Sequence, residues 1–289
     1  MKTTKIKNIK LKNRIFLAPM HQINDIAFRM LCKKAGAGLT YTGLINPQTK
    51  EKIHLEDKPA LQFACNTSKG IKEFIQKYDK KISLYDFNLG CPSPHAKQSK
   101  IGYFMTENLE GIEDILKEIK ENTKKPITIK IRKMSPSTTK KIIALAEKYC
   151  SAIGVHPRTQ AQGYSGVADI DFAKWVRKNT KLPIIYSGNI NYKEQAEKLL
   201  NEFDFIMIGR AAFGNPNIFD KLNDKKTKKI FNFWDWLKLA KRIEPNIYFS
   251  QIKFQAINFT RNFEGSARTR EKISLAKNEE ELIKILKNQ

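Results

Sequence analysis

The residues of this chain that could do chemistry recur at intervals, each just after a short apolar run. Cys91 follows Ile82 to Phe87 in Asp86-Phe87-Asn88-Leu89-Gly90-Cys91-Pro92-Ser93-Pro94. A thiol in that place is positioned for chemistry, or it is another small buried residue. The two prolines predict that no helix starts at once. Pro19 and Met20 close the first run. Pro19 cannot donate to a ladder, and the polarizable thioether of Met20 suits a flat ring system or simple rim packing. Gln62, inside Leu61-Gln62-Phe63, needs partners if buried, either a heterocycle edge or the neighbouring backbone. By strand alternation Thr128, Lys130 and Arg132 share one face, and a lysine at an open strand end can hold a ring carbonyl or an anionic ring nitrogen. His156 offers a donor or a group titrating near neutrality. Arg158 and Tyr164, close behind, suit a polyanion or a flat base. The last two runs end in Tyr186-Ser187-Gly188-Asn189 and Ile208-Gly209-Arg210. Glycines let backbone N–H groups approach an anion and Arg210 adds a fork of donors, so this pair reads as one phosphate site.

These residues need elements to position them. Strand candidates are Ile15–Ala18, Leu39–Thr42, Ala60–Phe63, Leu84–Asn88, Ile127–Ile131, Ala152–Val155, Ile184–Tyr186 and Phe205–Ile208. Between them run amphipathic stretches: Asp25–Ala35, Ser68–Lys77, Leu109–Lys120, Thr138–Tyr149, Asp171–Lys178 and Tyr192–Leu200. Thr49–Lys58 fits a helix least well. The alternation predicts an α/β fold, a (β/α)8 TIM barrel whose functional groups collect at the carboxyl ends of the strands. An open doubly wound sheet is the alternative, weakened because no GxGxxG follows the first strand. Beyond Phe219 and the charged linker Asp224 to Lys229, four helices are expected: Phe233–Ile243, Tyr248–Phe263, Ala267–Ala276 and Glu279–Lys287. Gly265-Ser266 ends the second and caps the third, and Asn278 caps the fourth. The division is a catalytic barrel over 1–225 and a small helical bundle over 226–289. The strand ends together suit a phosphorylated planar cofactor. FMN fits best, because lysine and backbone donors stabilise negative charge on a reduced isoalloxazine; a phosphorylated substrate fits the same donors.

Composition bounds the partners. The 289 residues carry 53 basic and 29 acidic side chains, a net charge of +24. Such a field favours an anionic polymer, although lysines spread over a solvated face give the same total. Hydrophobic content of 41% supports a real core. Cys32, Cys65, Cys91 and Cys150 are scattered with no CxxC pair, which suggests reduced thiols, a cytoplasmic protein and no metal. The lysine-studded start has no apolar segment of a signal peptide, and no run approaches a membrane span.

Leu17-Ala18-Pro19-Met20 with Asp25-Ile26-Ala27-Phe28-Arg29, then Asn88-Leu89-Gly90-Cys91-Pro92, His156-Pro157-Arg158-Thr159 with Tyr164-Ser165-Gly166, and Ile208-Gly209-Arg210-Ala211-Ala212 resemble the tRNA-dihydrouridine synthases. The motifs stand in that family's order across residues 14–219, and the tail resembles its helical tRNA-binding domain. The resemblance implies an FMN oxidoreductase with tRNA as partner and substrate, and a monomer is expected. It would reduce the C5–C6 double bond of particular uridines, with NADPH, or else NADH, as transient reductant. Carried over, Pro19, Met20, His21, Gln62, Lys130, His156, Ser187, Gly188, Asn189, Gly209 and Arg210 contact FMN. Asn88, Arg158 and Tyr164 contact the substrate, and Cys91 donates the proton. An ordinary thiol, pKa about 8.5, is mostly protonated at neutral pH and suits that task. Two departures from the family pattern stand out, the second of them near the expected substrate mouth. Ser187-Gly188-Asn189 replaces the family's usual Asn-Gly-Asp, and Gly102-Tyr103-Phe104-Met105 is bulkier than usual. A flavin barrel reducing a free dihydroorotate- or enone-type molecule is the alternative enzyme. A non-catalytic tRNA-binding module is a third reading, against which the intact Cys91 and cofactor donors stand.

Overall fold

Eight short apolar runs cannot bury both faces except by lying side by side and being covered outside, and they do so. Residues 4–50, 52–224, 229–261 and 265–287 are described by the computed structural model of the chain. A small antiparallel hairpin, β1 (Lys5–Ile6) and β2 (Ile9–Lys10), comes first. The barrel strands follow: β3 (Ile15–Leu17), β4 (Leu39–Thr40), β5 (Ala60–Phe63), β6 (Leu84–Leu89), β7 (Ile127–Arg132), β8 (Ala152–His156), β9 (Ile184–Ser187) and β10 (Phe205–Ile208). They form one parallel sheet in the order β4-β3-β10-β9-β8-β7-β6-β5. The ring closes through two isolated bridges, Tyr41 to Ala60 and Ile45 to Phe63.

Helices clothe this sheet: α1 (Ile26–Lys34), α2 (Ile71–Tyr78), α3 (Pro94–Gln98), α4 (Leu109–Asn122), α5 (Pro136–Tyr149), α6 (Ile170–Lys178), α7 (Lys193–Glu202) and α8 (Ile218–Leu222). No helix lies among the described residues between β4 and β5, so Thr49–Lys58 is a loop; Glu51 lies outside the described residues. A buried ion pair organises that loop instead. Arg29 of α1 meets Asp57 at 2.8 Å and also donates to the His54 carbonyl, while the Thr40 hydroxyl donates to Asp57.

The expectation that Pro92 and Pro94 delay a helix is corrected. Helix α3 starts at Pro94, with the Ser93 hydroxyl accepting from the Ala96 N–H. Ser135-Pro136 opens α5 in the same way. Proline at the first helical position loses no intrahelical bond, and the preceding serine satisfies a free N–H.

Strand alternation divides the side chains in two. Ile127, Ile129 and Ile131, with their counterparts on other strands, point outward into the core under the helices. Inside, Phe16, Leu39, Ala60, Leu84, Ile185 and Phe205 pack together, and Ile6 and Leu11 from the hairpin region join the same cluster. Two residues further along β5 to β9, the inward positions turn polar: Gln62, Asp86, Thr128 and Ser187. The filled apolar end and the polar end define the floor and the mouth.

Beyond the barrel lie α9 (Phe233–Ile243), α10 (Phe249–Phe259), α11 (Ser266–Leu275) and α12 (Glu279–Lys287). Asn232 and Asp235 form a reciprocal capping box on α9, and Asn278 accepts from the Glu281 N–H at the start of α12. Helix α10 stops at Phe259, short of the expected Phe263; residues 262–264 lie outside the described residues, as do 225–228 at the expected domain boundary. Trp236, Ala256 and Ile273 belong to the same apolar cluster as the barrel's outer shell. The fit is close at Gly214, where a Cβ would lie 2.2 Å from the Asn258 carbonyl oxygen of α10.

Candidate active site

At the mouth, β5, β6 and β7 place four polar side chains in contact across the sheet. Parallel register sets Gln62 beside Asp86, Asp86 beside Thr128, and Asn88 beside Lys130. Gln62 Nε2 donates to Asp86 Oδ2 at 2.6 Å, and Asn88 Nδ2 donates to Gln62 Oε1 at 2.8 Å. The Thr128 hydroxyl donates to Asp86 Oδ1. Asn88 Oδ1 then accepts the backbone N–H groups of Gly90 and Cys91, at 3.0 and 2.8 Å. Gln62 therefore meets neighbouring side chains, where the sequence pointed to a ligand edge or the backbone. Sequence reasoning gave Asp86 no role; its sign was its place in the period-two series that ends in Asn88.

Cys91 leaves β6 half-buried, with its thiol 3.4 Å from the Ser93 hydroxyl. Its backbone is clamped from a second side. The Cys91 carbonyl accepts from the Tyr103 N–H at 3.0 Å, and a Cβ on Gly102 would fall 2.9 Å from the Cys91 Cβ. Gly102 has φ +62°, a conformation open to glycine. The bulkier residues Tyr103 and Phe104 are half-buried behind it. The 102–107 segment is thus a backstop for the cysteine as well as a piece of the rim.

Across the mouth the charge is strongly positive. Lys130 stands on β7 near Arg132 and Asp86, and burial pulls its ammonium down to about 8, with Arg132 adding to the effect. Burial pushes the Asp86 carboxyl up to about 6, against its hydrogen bonds from Thr128 and Gln62. Burial also lowers His156 to about 2, helped by Lys130, Arg132, Arg158 and Arg210. Burial and the surrounding cations thus favour the neutral imidazole, which, of the two roles the sequence left open, suits the hydrogen-bond donor. Arg158 Nη1 lies 3.2 Å from His156 Nε2. Arginine can only donate, so Nε2 accepts and the ring proton is on Nδ1.

Arg158 itself is 1% exposed. Its guanidinium donates to the carbonyls of Ser165 and Gly166 and to the Asn189 side chain. It braces the 158–166 loop from below, where the sequence reading had it meet a polyanion or a flat base directly. Tyr164 rides on that loop, 61% exposed, with the Arg132 and Arg210 guanidiniums 5.4 and 5.9 Å from its ring centre. Arg132 also donates to the Gly90 carbonyl at 2.8 Å and the Gly163 carbonyl at 2.7 Å, so it ties the cysteine turn to the tyrosine loop.

The β9 and β10 ends are barer. Ser187 is buried, Gly188 half-buried, and Asn189 and Arg210 exposed. Nothing lies within 4 Å of a Cβ built on Gly209. Next to it the β3 exit carries Pro19 and Met20, half-buried, and His21, exposed. Asn24 fixes this turn by donating to the carbonyls of Ala18 and Tyr41, at 2.8 and 2.7 Å. The tail reaches the same turn. Gln255 of α10 donates to the Ile23 carbonyl at 3.0 Å and to Asp25 at 2.6 Å, and Trp236 Nε1 meets both Asp25 oxygens at 3.0 and 3.1 Å. Asp25 also caps α1 through the Phe28 N–H.

The sequence residues meant for one site thus converge on one mouth, with Arg158 beneath it. No helix among the described residues is long and apolar enough to cross a membrane. In fold, the chain is similar to histamine dehydrogenase from Rhizobium sp. 4-9, with a TM-score of 0.60 and 11% identity over 81% of this chain and 50% of that one. It is similar also to TcOYE, solved with pHBA, with a TM-score of 0.56 and 12% identity over 84% and 97%. In sequence, it is 32% identical to tRNA-dihydrouridine synthase B of Pasteurella multocida, over 74% of this chain and 70% of that protein. The corresponding protein of Escherichia coli K12 is 30% identical over 75% and 74%. The family model described as Dihydrouridine synthase (Dus) matches residues 16–287. Because that match runs from β3 through the last helix and takes in every polar strand end described above, the chain belongs to the dihydrouridine synthase family.

Proposed function

We propose that this protein reduces the C5–C6 double bond of particular uridines in tRNA, using FMN held at the barrel mouth and reduced by NADPH, with NADH as the alternative reductant. The observation that carries the reading is the convergence on that mouth of a half-buried thiol, a lysine ammonium and a neutral imidazole.

The residues present fit a phosphorylated flavin. The open space at Gly209, with Arg210 beside it and Ser187 and Gly188 next door, leaves backbone room for a phosphate. Pro19, Met20 and His21 would border the ring, and Gln62, Lys130 and His156 would hold its polar edge. Asn189, whose side chain accepts from Arg158, would frame the phosphate end. When bound and reduced, FMN supplies a hydride for C6 of the uracil.

The chain's own groups do the rest. Lys130, cationic at neutral pH, opposes negative charge on the cofactor. The Cys91 thiol holds a proton for C5 on the face away from the flavin. Asn88, already oriented by Gln62, would position the base. Tyr164 offers an exposed ring, backed by two guanidiniums, to an unstacked nucleotide. Arg158 acts on the nucleotide only through the loop it braces. Lysines of the rim and helical tail would neutralise tRNA phosphates.

The test is to incubate the FMN-loaded protein with NADPH and unmodified tRNA, then map nucleosides by mass spectrometry. Uridines heavier by two hydrogens are expected. Turnover of free uracil or an enone with tRNA untouched would replace this reading with the small-molecule one.

A further inference from the structure

We infer that Asp86 is a positioning residue for the reduction: through Gln62 and Asn88 it sets the orientation of the Cys91 turn. The inference takes the proposed uridine reduction as its premise.

Asp86 is 1% exposed, one inward position before Asn88 on β6. Its side-chain hydrogen bonds go to Gln62 and Thr128 and none goes to Cys91, so its effect on the cysteine must travel through neighbours. The chain of contacts is directional. A carboxylate only accepts, so Gln62 must turn its Nε2 toward Asp86. That leaves Gln62 Oε1 facing Asn88, which must answer with Nδ2. Asn88 Oδ1 is then the atom left to receive the N–H groups of Gly90 and Cys91. Each amide has two orientations of nearly equal shape, and the carboxylate at the head of the chain selects one for both. Without it, Asn88 could present Nδ2 to the turn. Two donors would then face each other, and the Cys91 backbone would move.

Thr128 steadies the head of the chain by donating to the second carboxylate oxygen. Asp86 also lies within electrostatic reach of Lys130, but a carboxylate placed only to neutralise that ammonium would not need this ordered series of hydrogen bonds. Burying a carboxylate is costly, as the upward push on Asp86 records. The four-residue relay explains what the cost secures.

The test compares FMN-loaded wild type, Asp86→Asn and Asp86→Leu. Asparagine keeps an oxygen for Gln62 Nε2 when its amide N–H is given to the Thr128 hydroxyl, which can accept; leucine keeps none. Each reduced enzyme is mixed with unmodified tRNA, and the single-turnover rate, the tRNA Kd and the alkylation rate of Cys91 by iodoacetamide are measured. Asp86→Leu is expected to lose roughly 10- to 100-fold in single-turnover rate. Its tRNA Kd should stay within about twofold, since misplacing the reacting group does not touch phosphate contacts. Its Cys91 alkylation rate should also change. Asp86→Asn should recover most of the rate and wild-type alkylation. Equal losses in both variants would mean that charge matters and the relay does not, and would overturn the inference. So would an unimpaired Asp86→Leu. If Asp86→Leu does not accumulate as folded holoenzyme, Thr128→Val removes one support of the carboxylate without changing charge. A several-fold slower rate is then expected, and an unchanged rate overturns the inference. A wild type that leaves tRNA unreduced sinks the premise instead, and the alkylation comparison still reports on the relay.

Discussion

Two enclosed carboxylates, Asp86 inside the barrel and Asp25 at the seam with the helical tail, meet the same problem with similar chemistry. Burial pushes each up to about 6, and each accepts from a glutamine amide, Gln62 or Gln255. Their partners differ in reach. Those of Asp86 are register neighbours on adjacent strands. Trp236 and Gln255 come to Asp25 from more than 200 residues away. The first carboxylate heads a chain of hydrogen bonds that ends at the Cys91 backbone. The second joins two parts of the molecule and caps α1. A buried charge is an expensive way to hold a fold together, because a hydrophobic pair can do so without desolvation. It earns its place where orientation matters: amide flips at the mouth, and the seating of the tail against the β3 exit.

The largest expected effect sharpens the chemical end of this contrast. Cys91→Ala should slow tRNA reduction by roughly 100- to 10,000-fold while keeping bound flavin, read as absorbance released on denaturation. Unchanged turnover would remove the thiol from the mechanism.

The pH dependence of stability comes next. A carboxyl of ordinary value near 3.8 that titrates at about 6 in the fold binds its proton more tightly when folded. Its contribution to stability is therefore greatest at low pH and is lost as pH rises from about 4 to about 6. Asp25→Asn and Asp86→Asn should each shift in their favour relative to wild type across that window, by something on the order of 3 kcal/mol per site. Urea unfolding at pH 4, 5, 6 and 7 measures the difference. Shifts of opposite sign at the two sites would end the comparison.

Trp236→Phe removes one donor from Asp25 and leaves the apolar packing of α9 largely intact. About 1 to 3 kcal/mol of unfolding free energy should be lost, with uridine reduction by the surviving folded enzyme little changed. A collapse of chemistry with full stability would mean that the seam acts on the site directly.

The smallest effect is expected at an exposed counterpart. Glu113 is held below its ordinary value by Lys148 and Tyr149, so its stabilisation is present above the unfolded value and is lost as pH falls. Glu113→Gln should therefore show a weak pH trend of opposite sign in the same titration, erased by salt.

Much of the barrel was legible because a parallel strand buried on both faces is a short apolar run, and these runs are separated by amphipathic helices. Thr128, Lys130 and Arg132 could be assigned to one face from period two alone. Local chemistry was misread at Pro94, where proline after serine starts a helix. Thr49–Lys58 resisted assignment because its order comes from Arg29 and Asp57, an ion pair between distant segments.

Residue types and their spacing determined the parallel barrel, the trailing helices and the set of strand ends that carry chemistry, since alternation and burial act over a few residues. Tertiary structure alone decided what each polar group faces. It turned Arg158 inward as a brace, kept His156 neutral among four cations, put Gly102 behind Cys91 and brought Trp236 to Asp25. The physical reason is that electrostatics and hydrogen bonding depend on distances between strands and domains, which spacing along a chain does not encode.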